Sequence, residues 1–188
     1  LNREHVRAAV ATLRDRDQAR VASVVELARD LSLRFREASL LDGRTALAQA
    51  RALGRVNITA GTKGGRGREI DRWVPVSASA LQTLERAVFL QDGSRNLIPP
   101  KMNYRQWRDH AYAAWRSTAN QYGLSGFHDL RAAYACERYA QLTGSPAPAV
   151  TGGHRADKAA DRCARQVLSQ ELGHGRVDVV AAYVGSPC

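Results

Sequence analysis

ELGHGRVDVVAAYVG, residues Glu171 to Gly185, sets one histidine between two glycines, follows it with an apolar run and reaches a tyrosine two residues before its end. His174 and Tyr183 stand nine positions apart. On one unbroken helix nine residues turn through about 900°, which leaves the two side chains pointing in opposite directions. Gly173 and Gly175 are poor helix interiors and good helix termini. The spacing therefore predicts a helix ending near Leu172, His174 in the turn, and a new short helix from about Val177, so that the two side chains converge. A plain C-terminal helix with its tyrosine reaching to solvent is the alternative reading.

Working outward from this stretch, hydrophobic periodicity predicts helices over His5–Leu13, Ala19–Leu41, Ala78–Leu90, Tyr104–Gln121, His128–Leu142 and Ala156–Leu172. LGRVNITAGTKGGRGREIDRWVPVS, Leu53 to Ser77, is different. Its apolar residues alternate at Val56 and Ile58 and again around Trp73, Val74 and Val76, on either side of a glycine-rich basic tip. It reads as two short strands and a long hairpin loop. TGSPAPAVTGGH, Thr143 to His154, reads as a Pro/Gly loop. The expected fold is mostly α with a small antiparallel β hairpin, an α+β arrangement in a single domain over residues 1–188.

Composition narrows the function classes. The 188 residues are 44% hydrophobic, enough for a real core and too apolar for a disordered chain. No apolar run approaches a membrane span and no secretory leader opens the sequence. The first residue is Leu1 and the one methionine is Met102, so a preceding segment is expected. Twenty-eight Lys and Arg face eighteen Asp and Glu, a net charge of +10, which points to a polyanionic partner, nucleic acid before membrane. Cys136, Cys163 and Cys188 form neither a CxxC pair nor a zinc spacing, which suits a reducing cytoplasm. The Ala- and Arg-rich composition suggests a GC-rich bacterial genome.

Several side chains are candidates for work on a phosphodiester. In LSLRFREASLL, Arg34 and Glu37 fall at i and i+3 in an otherwise apolar stretch, where an arginine needs a partner or a ligand; a surface ion pair is the plainer reading. In GFHDLRAAYACERYAQ, His128 and Arg131 share a helix face, and Asp129 sits in the first turn, where the dipole favours negative charge. Lys63, Arg66 and Arg68 cluster at the hairpin tip, suited to a groove or a phosphate backbone or simply to a solvated turn. Trp107 and Trp115 read as core, and His5, His110 and His154 as ordinary histidines.

The order of these elements resembles the catalytic domain of the tyrosine recombinases, the phage integrase family, whose pattern runs Arg…Lys…His-x-x-Arg…His/Trp…Tyr. The matching positions are Arg34, Lys63, His128 with Arg131, His174 and Tyr183, so the resemblance spans about residues 20 to 184. Ser32-Leu33 stands where the family often has Gly-Leu. Arg131 and His174 are 43 positions apart, a longer gap than usual. The surplus falls within Thr143–Arg162, with a partner-binding loop, a DNA contact and filler as alternatives.

The resemblance implies a reaction. Arg34 and Arg131 would neutralise the non-bridging oxygens of a DNA phosphate, Tyr183 would attack phosphorus, and His128 would accept its proton. Lys63 would protonate the leaving 5′ oxygen, His174 would bond a non-bridging oxygen, Glu37 would orient Arg34 or a neighbour, and Arg66 and Arg68 would bind DNA. It also implies no metal and no cofactor, double-stranded DNA as partner, a homotetramer in the synapse and a monomer or weak oligomer without DNA. A core-binding domain would precede residue 1. Relaxation of supercoils in the manner of a type IB topoisomerase, a silent DNA-binding protein of the same fold, and a basic RNA-binding module are the alternatives.

The charge balance carries a test. Affinity for duplex DNA is expected to fall at least about tenfold between 50 and 200 mM salt as released counterions lose their entropic advantage. Equilibrium titrations at several salt concentrations measure it, and a flat affinity contradicts it.

Overall fold

In the computed structural model, which describes residues 2–62 and 69–187, the chain forms two compact units, Leu1–Leu130 and Arg131–Cys188. The first unit opens with α1, Arg3–Asp15, started by Asn2, whose side chain accepts from the Glu4 amide at 2.9 Å. Val6, Ala9, Val10 and Leu13 line its buried face at helical spacing. Helix α2, Ala19–Leu31, packs beside it and is buried along most of its length.

Here the structure corrects the expected single helix over Ala19–Leu41. Ser32 takes a left-handed conformation, φ 55°, and ends α2. Arg34 is extended and stands as N-cap of a separate short helix, α3, Phe35–Leu40. Arg34 therefore precedes a helix rather than sharing a helix face with Glu37. The break holds because Glu37, three residues on, reaches back to accept from the Arg34 amide at 2.7 Å.

Helix α4, Gly43–Leu53, was not signalled by periodicity. It buries only Gly43, Ala46 and Ala50, residues too small to mark an apolar stripe, although Asp42 and Gly54 cap its two ends. It packs on α5, Ala78–Gln91. The expected hairpin is present as β1, Arg55–Asn57, antiparallel to β2, Trp73–Pro75, with Val56 opposite Val74. Helix α6, Tyr104–Ala119, runs into a 3-10 turn over Asn120–Tyr122. Trp107 and Trp115 are buried, as expected, and Phe127 and Phe35 lie 5.1 Å apart in the same aromatic cluster.

Helix α7, Phe127–Thr143, contains the boundary between the units. The second unit continues with α8, Pro148–Thr151, a single turn inside the stretch expected to be loop. Helix α9, Lys158–Glu171, starts at Asp157, whose carboxylate accepts from the amides of Ala159 and Ala160. A 3-10 turn over Asp178–Val180 leads into α10, Ala181–Val184. The helix–turn–short helix reading of the last fifteen residues is thus met. Ala135, Tyr139, Ala147, Leu168, Leu172, Val180 and Val184 belong to this unit's core. No described helix is long and apolar enough to cross a membrane.

Gly43 offers a test of the α4–α5 packing. The buried Gln91 side chain accepts from the Gly43 amide at 3.1 Å and donates to the Leu41 carbonyl at 2.7 Å. A Cβ on residue 43 would lie 2.7 Å from Gln91 Oε1. Because Gln91 is held from both ends, Gly43→Ala is expected to destabilise the protein by about 1–3 kcal/mol, read from urea unfolding.

Candidate active site

The candidate residues of the first unit gather around one carboxylate. Glu37 is fully buried. Its Oε1 accepts from Arg34 Nη1 at 2.6 Å and its Oε2 from the Arg34 amide at 2.7 Å. Arg72, also buried, pairs through Nη1 with Oε2 at 2.9 Å and donates from Nη2 to the Ser32 carbonyl at 3.0 Å. Two guanidiniums against one carboxylate leave the trio with one net positive charge, and the Arg34 side chain is its partly exposed member at 27%. An anion could approach Arg34 while Glu37 and Arg72 fix it from behind.

Arg72 escaped the sequence reading. It lies next to β2, 35 positions from Glu37, and nothing in REIDRWVPV distinguishes it from Arg66 or Arg68. Gly61 (φ 72°) is a second missed element. A Cβ there would lie 2.8 Å from the Arg36 carbonyl oxygen, so only glycine lets this leg of the hairpin lie against the start of α3. Lys63, Arg66 and Arg68 lie outside the described residues. Beside this region Arg36 stands over the Tyr104 ring at 5.6 Å. Burial raises the Tyr104 phenol above its ordinary pKa, and the Arg36 charge opposes that shift.

His128 is exposed in the first turn of α7, and Asp129 accepts from the Gly126 amide at 3.2 Å, fixing the start of that helix. Arg131 follows three positions later and belongs to the second unit.

In the second unit three of the expected residues come together. Gly173 and Gly175 adopt φ of 69° and 65°, and the amides of His174 and Gly175 both donate to the Ser169 carbonyl, so the chain doubles back at the end of α9. This turn brings His174 Nε2 to 3.1 Å from the Tyr183 hydroxyl. The Arg131 guanidinium lies 5.8 Å from the centre of the Tyr183 ring and donates to the Leu172 carbonyl at 3.1 Å. Arg131 and Tyr183 are both buried. An imidazole nitrogen at a tyrosine hydroxyl, with a cation over the ring, is a setting in which a phenol can act as a nucleophile. Missed by the sequence reading in this unit is the buried cluster of Tyr139, Asp161 and Arg165 around the segment after Tyr183.

Residues 3–137 match the model of a family described as Integrase. Among solved structures, the chain is similar to that described as the crystal structure of XerA recombinase, with a TM-score of 0.60 and 15% identity over 98% of this chain. That likeness establishes a shared fold. The chain spans 59% of the length of the XerA chain. No curated protein matches the sequence.

The burial of Glu37 makes a sharp expectation. Glu37→Gln removes the negative charge between two guanidiniums and leaves buried Arg72 without its ion-pair partner. Urea unfolding of the variant is expected to show a loss of about 3 kcal/mol, several times what a surface ion pair contributes.

Proposed function

Because the chain belongs to the integrase family, we propose that it is the catalytic domain of a site-specific DNA recombinase that cuts and rejoins DNA through Tyr183. The observation that carries this reading is the 3.1 Å contact between His174 Nε2 and the Tyr183 hydroxyl, formed across a glycine-bounded turn with Arg131 beside it. A tyrosine phenol has an ordinary pKa of about 10, so at neutral pH attack needs a base at the hydroxyl and positive charge at the phosphate.

In the proposed reaction Tyr183 Oη attacks the phosphorus of a DNA phosphodiester and its proton leaves to a histidine. The family pattern points to His128 as final acceptor, and the 3.1 Å contact supports His174 as the group that holds the phenol before attack. During the step His174 turns to a non-bridging oxygen. Arg34 and Arg131 each donate to the non-bridging oxygens, whose charge rises in the pentacoordinate transition state. The P–O5′ bond breaks, and Lys63 gives its proton to the departing oxygen. The products are a 3′-phosphotyrosine and a free 5′-hydroxyl. Attack by a 5′-hydroxyl of another strand reverses every transfer and rejoins the DNA in a new arrangement.

Glu37 acts through Arg34, holding its guanidinium at 2.6 Å and its backbone amide at 2.7 Å. Arg66 and Arg68 follow the DNA backbone. The chemistry takes place in a homotetramer on double-stranded DNA, in a bacterial cytoplasm, with a further DNA-binding segment completing the grip.

The test is covalent trapping on a nicked duplex whose 5′-hydroxyl fragment diffuses away. The wild-type chain is expected to yield a DNA-linked species stable to denaturation. Tyr183→Phe is expected to abolish that species while duplex affinity stays within about twofold, since the substitution removes one hydroxyl and no phosphate-binding charge. Relaxation of a supercoiled plasmid without recombination between two sites would instead assign the chain a topoisomerase outcome.

A further inference from the structure

The Thr143–Arg162 stretch and the buried arginine that follows it are not used by the reaction above. Arg165, on α9, is 2% exposed. Its Nε donates to both oxygens of Asp161 at 2.9 Å, its Nη1 to the Gly185 carbonyl at 2.8 Å and its Nη2 to the Ser186 carbonyl at 2.7 Å. Asp161 is 3% exposed and also accepts from the Tyr139 hydroxyl at 2.6 Å. All three guanidinium nitrogens are therefore engaged. The planar fork matches two successive backbone carbonyls in a way that a single ammonium cannot.

The carbonyls it grips belong to the two residues that follow α10. Gly185 has φ 90° and ψ 173°, a conformation open to glycine, and a Cβ there would lie 2.8 Å from the Ala149 amide nitrogen and 3.1 Å from Pro148 Cβ. The turn of α8 is thus the surface against which the segment is seated, and neighbouring Ala147 is part of the core that also holds Tyr183. Gly185 lies two residues beyond Tyr183, a span of at most about 7 Å. The main chain at 183 is held as well, its carbonyl accepting from Cys136 Sγ at 3.3 Å.

We propose that Arg165 is a positioning residue for Tyr183: its fork pins the Gly185–Ser186 carbonyls onto α8, and this fixes the phenol against His174. The longer spacing between Arg131 and His174 then has a use, since it supplies both the seat and Asp161. The inference rests on the reading of Tyr183 as nucleophile, and two readouts separate them.

The first readout is independent of catalysis. Tetranitromethane modifies exposed tyrosines, and peptide mass spectrometry gives the rate at each one. Tyr134 is buried in the same unit and donates to Glu171 at 2.8 Å, so it reports general loosening. Arg165→Lys keeps a cation beside Asp161 and so avoids an unpaired buried carboxylate, but it cannot bridge two carbonyls. Gly185→Ala attacks the same contact from the α8 side. In both variants nitration of Tyr183 is expected to rise about tenfold with Tyr134 unchanged, the size of effect expected from losing charge-assisted hydrogen bonds that hold a local segment closed.

The second readout is single-turnover cleavage of the nicked duplex. It is expected to fall about tenfold in both variants while the Kd for duplex DNA stays within about twofold, as misplacement of a nucleophile without loss of binding requires. The proposal is overturned if Tyr183 stays as protected as in the wild type, if Tyr134 and Tyr183 become reactive together, or if cleavage is unchanged where Tyr183 alone is exposed. A wild-type chain that shields Tyr183 yet never forms a DNA adduct overturns the nucleophile reading, and with it any catalytic role for Arg165.

Discussion

One buried carboxylate holds the candidate residues of the first unit. Glu37 has no exposed surface and lies between Arg34 and Arg72. A charge in that position is tolerable only when it is paired and hydrogen-bonded. Its contacts with Arg34 and Arg72 meet this requirement and do so asymmetrically. One oxygen takes the Arg34 guanidinium, while the other takes the Arg34 amide and Arg72. The same group thereby ends an extended segment, starts α3, ties the flank of β2 to the end of α2, and leaves Arg34 as the member that reaches solvent. The break in the helix at Ser32 and the orientation of the arginine are two consequences of a single electrostatic constraint.

A related arrangement recurs at three helix ends. Arg72 donates to the carbonyl of Ser32 after α2, Arg131 to that of Leu172 after α9, and Arg165 to those of Gly185 and Ser186 after α10. The last carbonyls of a helix lack intrahelical partners and carry the negative end of its dipole, so a cation there is stabilising. Each of these three arginines is buried, and each therefore serves two needs at once, its own requirement for acceptors and the helix end's requirement for donors. In a chain with a net charge of +10, part of the positive charge is thus tied to helix ends inside the fold.

The legible parts of the site share a physical character. The convergence of His174 and Tyr183 followed from two glycines and a nine-residue spacing, because φ near 70° is a local property that glycine supplies without strain. The HDLR element at the start of a helix was legible from neighbouring residues, through Gly126 before it and Asp129 in its first turn, whose carboxylate accepts from the Gly126 amide. Helix α4 was not, since alanines bury a helix face without marking it. The end of α2 was not, since Ser32 is neither glycine nor proline, the residues that ordinarily punctuate a helix.

The sequence by itself determined the class of the chain: its basic charge, the order of arginine, histidine and tyrosine elements, and the turn that joins the last two. These are set by residue identity and by neighbours within a few positions. Only the tertiary structure decided which charges are buried and what pairs with them. Arg72 and Glu37 are 35 positions apart, and Arg165 and Ser186 are 21 apart. No local pattern encodes such partners, because the free energy that selects them comes from removing water around a charge, and that is fixed only once distant segments have packed.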